Sequence, residues 1–157
     1  MNTINEEIIN LKKSLLKMFF LVENQWEKGQ TAVIKHDQDM AAEIAFSEAR
    51  INAQELKIDN DCENIIALHT PVAIDLRFVL AAYKINHSLE RIADIAESIA
   101  NYVAINNNQY PKEVLVELRL NEMFENFNSM MDNVISAFEN EDTIAARKIF
   151  RKDKILN

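Results

Sequence analysis

Apolar residues recur at alternating intervals of about three and four through Ile4, Ile8, Leu11, Leu15, Met18, Val22 and Trp26. That is the spacing of one face of a helix packed against partners, and it predicts a first helix reaching to about Ile34. Gly29 inside it costs roughly 1 kcal/mol relative to Ala, so either close packing or a bend is expected there. After the polar break KHDQD, Ile44, Ile51, Ile58 and Ile65 fall at strict seven-residue intervals and predict a second helix from about Asp39 to His69. Thr70 as cap and Pro71 at the first helical position open a third helix. Its seam is Phe78, Ala82, Ile85, Leu89, Ile92, Ala96, Ile99 and Val103, and it ends in the loop signal NNNQYP. Short connections make sequential helices antiparallel, so residues 1–107 are expected to form an all-α antiparallel three-helix bundle.

The pattern then starts again. A shift of 105 residues places Leu120 on Leu15, Met123 on Met18, Phe127 on Val22, Met131 on Trp26 and Phe138 on Val33. The same shift places Asp142 on Asp37, Ala146 on Ala41, Ile149 on Ile44, Asp153 on Glu48 and Asn157 on Asn52. Residues 111–157 therefore read as an incomplete second copy of the three-helix unit, cut off just after its second helix begins. Apolar residues on its first helix would lack part of their cover, which a homodimer or exchange of elements would supply.

Composition agrees with the helical reading: one Gly and two Pro in 157 residues leave almost no turn chemistry. A formal charge of −8 argues against non-specific binding to nucleic acid or to an anionic membrane surface. The single Cys62 has no internal disulfide partner and reads as a buried thiol in a reducing cytoplasm. The most apolar early run, LLKMFFLV, contains Lys17 and is too short to cross a bilayer, and it lacks the cleavage site of a secretory signal. There is neither a Gly-rich phosphate loop nor a nucleophile-and-base constellation, so no enzymatic chemistry is expected.

Candidate chemistry lies in the acids. Glu55/Asp59 and Glu90/Asp94 share an E-x-x-x-D spacing that puts two carboxylates one turn apart on one helical face, an arrangement that hard cations and iron accept. With 25 acids in the chain, a solvated acidic face fits the spacing equally well. Glu48, Asn52, Glu55 and Asp59 form a row at the edge of the second helix's core face, whereas Glu90, Asp94, Glu97 and Asn101 are expected opposite the core face of the third. Asp75 suits the positive end of the third helix. Arg77 can pair with an acid on the second helix or meet a partner, and Arg91 has the same two roles. His87, three residues before Glu90, is either an ordinary half-exposed histidine or a member of a metal site. Trp26 and the phenylalanines at helical spacing read as core.

PVAIDLRF followed by LERIADIAESIA closely resembles the third-helix signature of the PhoU family, bacterial regulators of phosphate uptake and phosphate signalling. The family signature reads P-V-A-x-D-L-R and then E-R-I-x-D, and LKIDNDCENIIALH resembles the end of its second helix. The chain departs from it at Ala93, where Gly is usual, at Ile95, where His is frequent, and at Ser98, where Asn is frequent. The resemblance implies a cytoplasmic, non-catalytic adaptor. It would contact the phosphate ABC transporter ATPase and a sensor histidine kinase, and hold the phosphate-starvation response off when phosphate is plentiful. Similar acidic motifs in some family members bind iron or another divalent or trivalent metal, which implicates Glu55, Asp59, Glu90 and Asp94. Glu48 and Asn52 come after these, because Asn replaces the expected acid. Arg77 and Arg91 are the candidate partner contacts. The alternatives are an accessory subunit of another phosphate permease, and a di-iron carboxylate oxidase or ferroxidase. The oxidase would need inward Glu-x-x-His pairs that the sequence lacks.

Overall fold

The computed structural model describes the backbone of residues 3–106, 109 and 111–156, and the side chains of these outside 112 and 150–156. Asn107, Asn108 and Tyr110 of the expected loop, and Asn157 of the repeat, lie outside the described residues.

Three long helices follow one another, with no strand among the described residues. The first, α1 (Ile4–Lys35), begins after Thr3, whose backbone N–H donates to the Glu6 carboxylate at 3.2 Å. That acid also faces the positive end of the helix dipole. A left-handed residue, His36 (φ 53°), ends α1. Asp37 then caps α2 (Gln38–His69) by accepting from the Met40 N–H at 2.9 Å. The heptad isoleucines behave as expected: Ile44, Ile51, Ile58 and Ile65 are buried, as are Leu11, Leu15, Met18 and Val22 on α1.

The α2–α3 corner differs from the expectation. α3 (Ala73–Ile105) starts two residues later than Pro71, with Val72 before it in extended backbone, and Thr70 ends α2 in the left-handed region (φ 47°) instead of capping α3. Pro71 disfavours a right-handed helical conformation in the residue before it. Residues 70–72 are therefore spent on reversing the chain, and Pro71 itself is buried in the corner.

The core face of α3 is also rotated from the expected seam. The fully buried stripe is Val79, Ala82, Asn86, Leu89, Ala93, Ala96, Ala100 and Val103, while Phe78, Ile85 and Ile92 are half-buried on its flank. Small side chains let α3 come close to α1, and the bulky ones are left to the side. Gly29 is part of that approach: a Cβ there would sit 3.6 Å from the Ala96 Cβ. Close packing, rather than a bend, is thus what the glycine serves, and α1 runs unbroken through it.

Beyond the third helix come α4 (Lys112–Glu117), α5 (Leu120–Glu139) and α6 (Thr143–Leu156). A left-handed Arg119 (φ 50°) separates α4 from α5; the apolar period alone did not signal that break. α5 packs antiparallel on α1, since Phe138 meets Phe19 (ring centroids 5.4 Å) while Phe127 and Phe124 meet Trp26 (4.0 and 5.7 Å). The α5–α6 corner repeats the α1–α2 corner at the 105-residue shift. Left-handed Glu141 (φ 54°) stands where His36 stands, and Asp142 accepts from the Ile144 and Ala145 N–H groups as Asp37 does from Met40.

Because the added Cβ meets only ordinary van der Waals contact, Gly29→Ala should raise stability by up to about 1 kcal/mol through helix propensity. Gly29→Leu should lower it by about 1–3 kcal/mol by overpacking. Urea unfolding followed by circular dichroism reads both.

Candidate metal centre

The rotation of α3 decides where its acids lie. Glu90 is half-buried instead of lying opposite the core face, while Asp94, one turn on, is exposed. The Glu90 carboxyl is raised above the ordinary carboxylate range by desolvation and by the charges of Asp94, Glu55 and Glu48. The rows on α2 and α3 therefore meet across one seam. The physical reason is that the alanines, which carry little weight in an apolar pattern, bury more completely than the isoleucines beside them. That turns the acidic row towards α2.

Along this seam the acids are held by a few neutral and cationic groups. Glu48 is almost wholly buried, at 7% exposure, and one of its oxygens accepts a hydrogen bond from Gln25 Nε2 on α1 while Oε1 has no partner. Gln25 is itself placed by Ser47, whose hydroxyl donates to Gln25 Oε1 at 2.7 Å, and by the Ala93 carbonyl, which accepts from Nε2 at 3.3 Å. Burial raises the Glu48 carboxyl; the Gln25 bond partly opposes this, and Glu97, Asp94 and Glu55 add to it. Two turns further along, Asn86 Nδ2 donates to the Glu55 carbonyl at 2.9 Å and to Asp59 Oδ1 at 2.8 Å. His87 reaches the same two residues, with Nδ1 3.1 Å from Glu55 Oε1 and Nε2 3.5 Å from Asp59 Oδ2. Glu55, Asp59 and His87 each bring one ligand atom within 4.8 Å of the others.

Of the sequence-predicted ligands, Glu55 and Asp59 thus come together with His87, whereas Glu90 and Asp94 do not join that group among the described residues; Glu90 feels the Glu55 charge. Asn52 is exposed. Glu48, ranked behind the others on sequence, is the most deeply buried acid of the seam. Gln25 carried no sequence signal, because a glutamine on an apolar face resembles an ordinary interruption. The donor set suits a cation: half-buried carboxylates in mutual repulsion, one imidazole, and a buried carboxylate oxygen without a hydrogen-bond donor. Arg77 and Arg91 are exposed, and neither pairs with an acid among the described residues. The expected bridge from Arg77 to α2 is therefore not formed. Asp75 does lie in the first turn of α3. Cys62 is buried, and burial, followed by the charges of Asp59, Asp61 and Glu63, pushes its thiol up to about 12, so it is a core residue without nucleophilic character.

Long antiparallel helices with a carboxylate-rich seam between two of them place the chain in the class of helical bundles. The PhoU domain matches residues 15–103, more than half of the chain. The chain belongs to the PhoU family. It is 33% identical to the phosphate-specific transport system accessory protein PhoU of Edwardsiella tarda over 96% of its own length. The corresponding figures are 31% over 96% for the protein of that name from Escherichia coli, and 32% over 94% for the Aquifex aeolicus homolog. The chain spans 61% of the Edwardsiella and Escherichia proteins and 66% of the Aquifex one. In structure it superimposes on PhoU of Streptococcus pneumoniae with a TM-score of 0.85, 29% identity, and 97% of this chain against 70% of that one. Pseudomonas aeruginosa PhoU gives 0.85, 27%, 98% and 73%.

Two measurements test the seam. Gln25→Leu should cost about 1–3 kcal/mol, because it leaves the buried Glu48 carboxyl without its donor; urea unfolding reads this. Glu90 holds its proton more tightly folded than unfolded, so the metal-free protein loses stability as pH rises from the ordinary carboxylate range through the raised one. Glu90→Gln should therefore raise the Tm at pH 7, and the gain should shrink as pH falls towards 4.5.

Proposed function

We propose that this chain is a regulatory accessory of phosphate-specific transport, acting by contact with partners and without catalytic chemistry. The observation that carries the reading is its 33% identity, across nearly its whole length, to a phosphate-specific transport system accessory protein. The proposed partners are the phosphate ABC transporter ATPase and a sensor histidine kinase, and the proposed outcome is repression of the phosphate-starvation response when phosphate is abundant. Arg77 and Arg91, exposed on α3, are the proposed contacts. Among the described residues no helix is long and apolar enough to cross a membrane. The place of action proposed is the cytoplasm, at the membrane only through partners. The partition into a complete unit over 1–107 and a partial one over 111–157 is likewise proposed, as is a homodimer covering the apolar flank of α3 and α5.

The seam is proposed as a site for iron or another divalent or trivalent metal, with Glu55, Asp59, Glu90 and Asp94 as ligands. Bound there, a cation would neutralise carboxylates whose repulsion otherwise opposes the packing of α2 on α3. Metal occupancy would then stiffen the surface that partners meet. The acids line the rim of the bundle rather than its centre, which favours this role over an oxidase.

The test is a pull-down of tagged protein from its bacterial host grown with abundant phosphate, with mass spectrometry of the bound proteins and metal analysis of the bait. Recovery of the transporter ATPase or a histidine kinase is the expected result. A bait carrying stoichiometric iron and no partner would overturn the adaptor reading in favour of redox or storage chemistry. Separately, Glu90→Ala combined with Asp94→Ala should leave helicity intact and lower bound iron or manganese several-fold by plasma mass spectrometry; unfolding would make these acids structural.

A further inference from the structure

The carboxylates of the seam cannot by themselves choose between a hard cation and a transition metal, but the residue between them can. His87 extends from α3 to both Glu55 and Asp59, with each ring nitrogen facing a different carboxylate. We propose that His87 supplies a nitrogen ligand to the ion held by Glu55 and Asp59, and so biases the site towards borderline transition ions such as Fe2+, Co2+ or Zn2+ over Mg2+ and Ca2+. This rests on reading the seam as a metal site, and is independent of phosphate signalling.

The imidazole lies between the two carboxylates of α2, and Nδ1 stands 3.1 Å from Glu55 Oε1. The other nitrogen, Nε2, lies 3.5 Å from Asp59 Oδ2. Two ligands each about 2.1 Å from an ion stand about 3.0 Å apart at an octahedral angle and about 3.4 Å apart at a tetrahedral one. An ion therefore enters between them with little movement. Asp59 is presented for this, since Asn86 Nδ2 holds its Oδ1 at 2.8 Å and leaves Oδ2 to the ion. Tyr83 meets the imidazole edge-on, with centroids 4.6 Å apart, and limits its rotation.

Among the described residues, two buried oxygens along the same seam have no hydrogen-bond donor. Asn86, at 0% exposure, has no partner for Oδ1 although its Nδ2 is committed to Glu55 and Asp59. Glu48 Oε1 has no partner either, and the acids that act on its carboxyl, Glu97, Asp94 and Glu55, are those of this seam. With the His87 side chain 42% exposed, an ion reaches the site from solvent without opening the bundle. Imidazole suits iron, cobalt, nickel and zinc, whereas Mg2+ and Ca2+ take oxygen ligands, so one nitrogen among carboxylates shifts the preference.

The experiment uses the whole 157-residue protein, stripped of metal, with Co2+, Zn2+, Mn2+ and Mg2+ each titrated into the native protein, His87→Gln and His87→Ala. Circular dichroism checks that the variants stay helical. In both variants Co2+ and Zn2+ affinity should fall by about tenfold or more, and Mg2+ affinity by less than about threefold. The native Mn2+ complex should show 14N coupling in pulsed EPR, lost in His87→Gln. Equal losses for all ions, no loss for any, or a Mn2+ complex without 14N coupling would overturn the role of His87 and leave the carboxylate site standing. Native protein that binds none of these ions would overturn both.

Discussion

The close approach of α3 to α1 and α2 is the constraint on which the other features depend. It is made by a ladder of small residues, Ala82, Ala93, Ala96 and Ala100 on α3, with Gly29 opposite Ala96 on α1. Backbones that come this close leave no room for Ile or Phe between them, so Phe78, Ile85 and Ile92 are turned to the flank. There they pack beside Phe127, Val134 and Phe138 of α5. One rotation of a helix thus sets two surfaces at once, an apolar flank shared with α5 and an acidic seam shared with α2.

The seam is a place where packing works against electrostatics. Burial and mutual repulsion raise Glu48 and Glu90, and few cations lie near enough to relieve them. What the chain supplies instead is neutral and local: Gln25 on Glu48, Asn86 on Asp59, and His87 between Glu55 and Asp59. These polar groups tie all three helices together, because Gln25 belongs to α1, the acids to α2, and Asn86 and the Ala93 carbonyl to α3. Folding in this region is therefore coupled to charge. Anything that neutralises the seam tightens the same helices whose packing created it.

The remainder of the chain uses the same rules on a different scale. Its α5–α6 corner copies the left-handed residue and aspartate cap of the α1–α2 corner. Its contact with α1 relies on aromatic rings around Trp26, where the first unit relies on alanines.

Periodicity alone determined the helices, their order and their antiparallel arrangement, because a 3.6-residue repeat of large apolar side chains has few other solutions. The isoleucine heptads of α2 and the core of α1 were legible in this way, and the PVAIDLRF and LERIADIAESIA motifs carried the family. Tertiary structure decided what depends on distance between helices. The angular position of α3 was set by alanines that hydrophobicity underrates, and it left Glu90 half-buried within reach of the Glu55 charge. The same packing gave His87 its two carboxylates and Gln25 its buried acid, contacts between residues far apart in sequence. At the α2–α3 corner, the backbone restriction before Pro71 outweighed the capping preference of Thr70. Sequence spacing describes a helix from its own axis, and the chemistry of this seam belongs to the space between two of them.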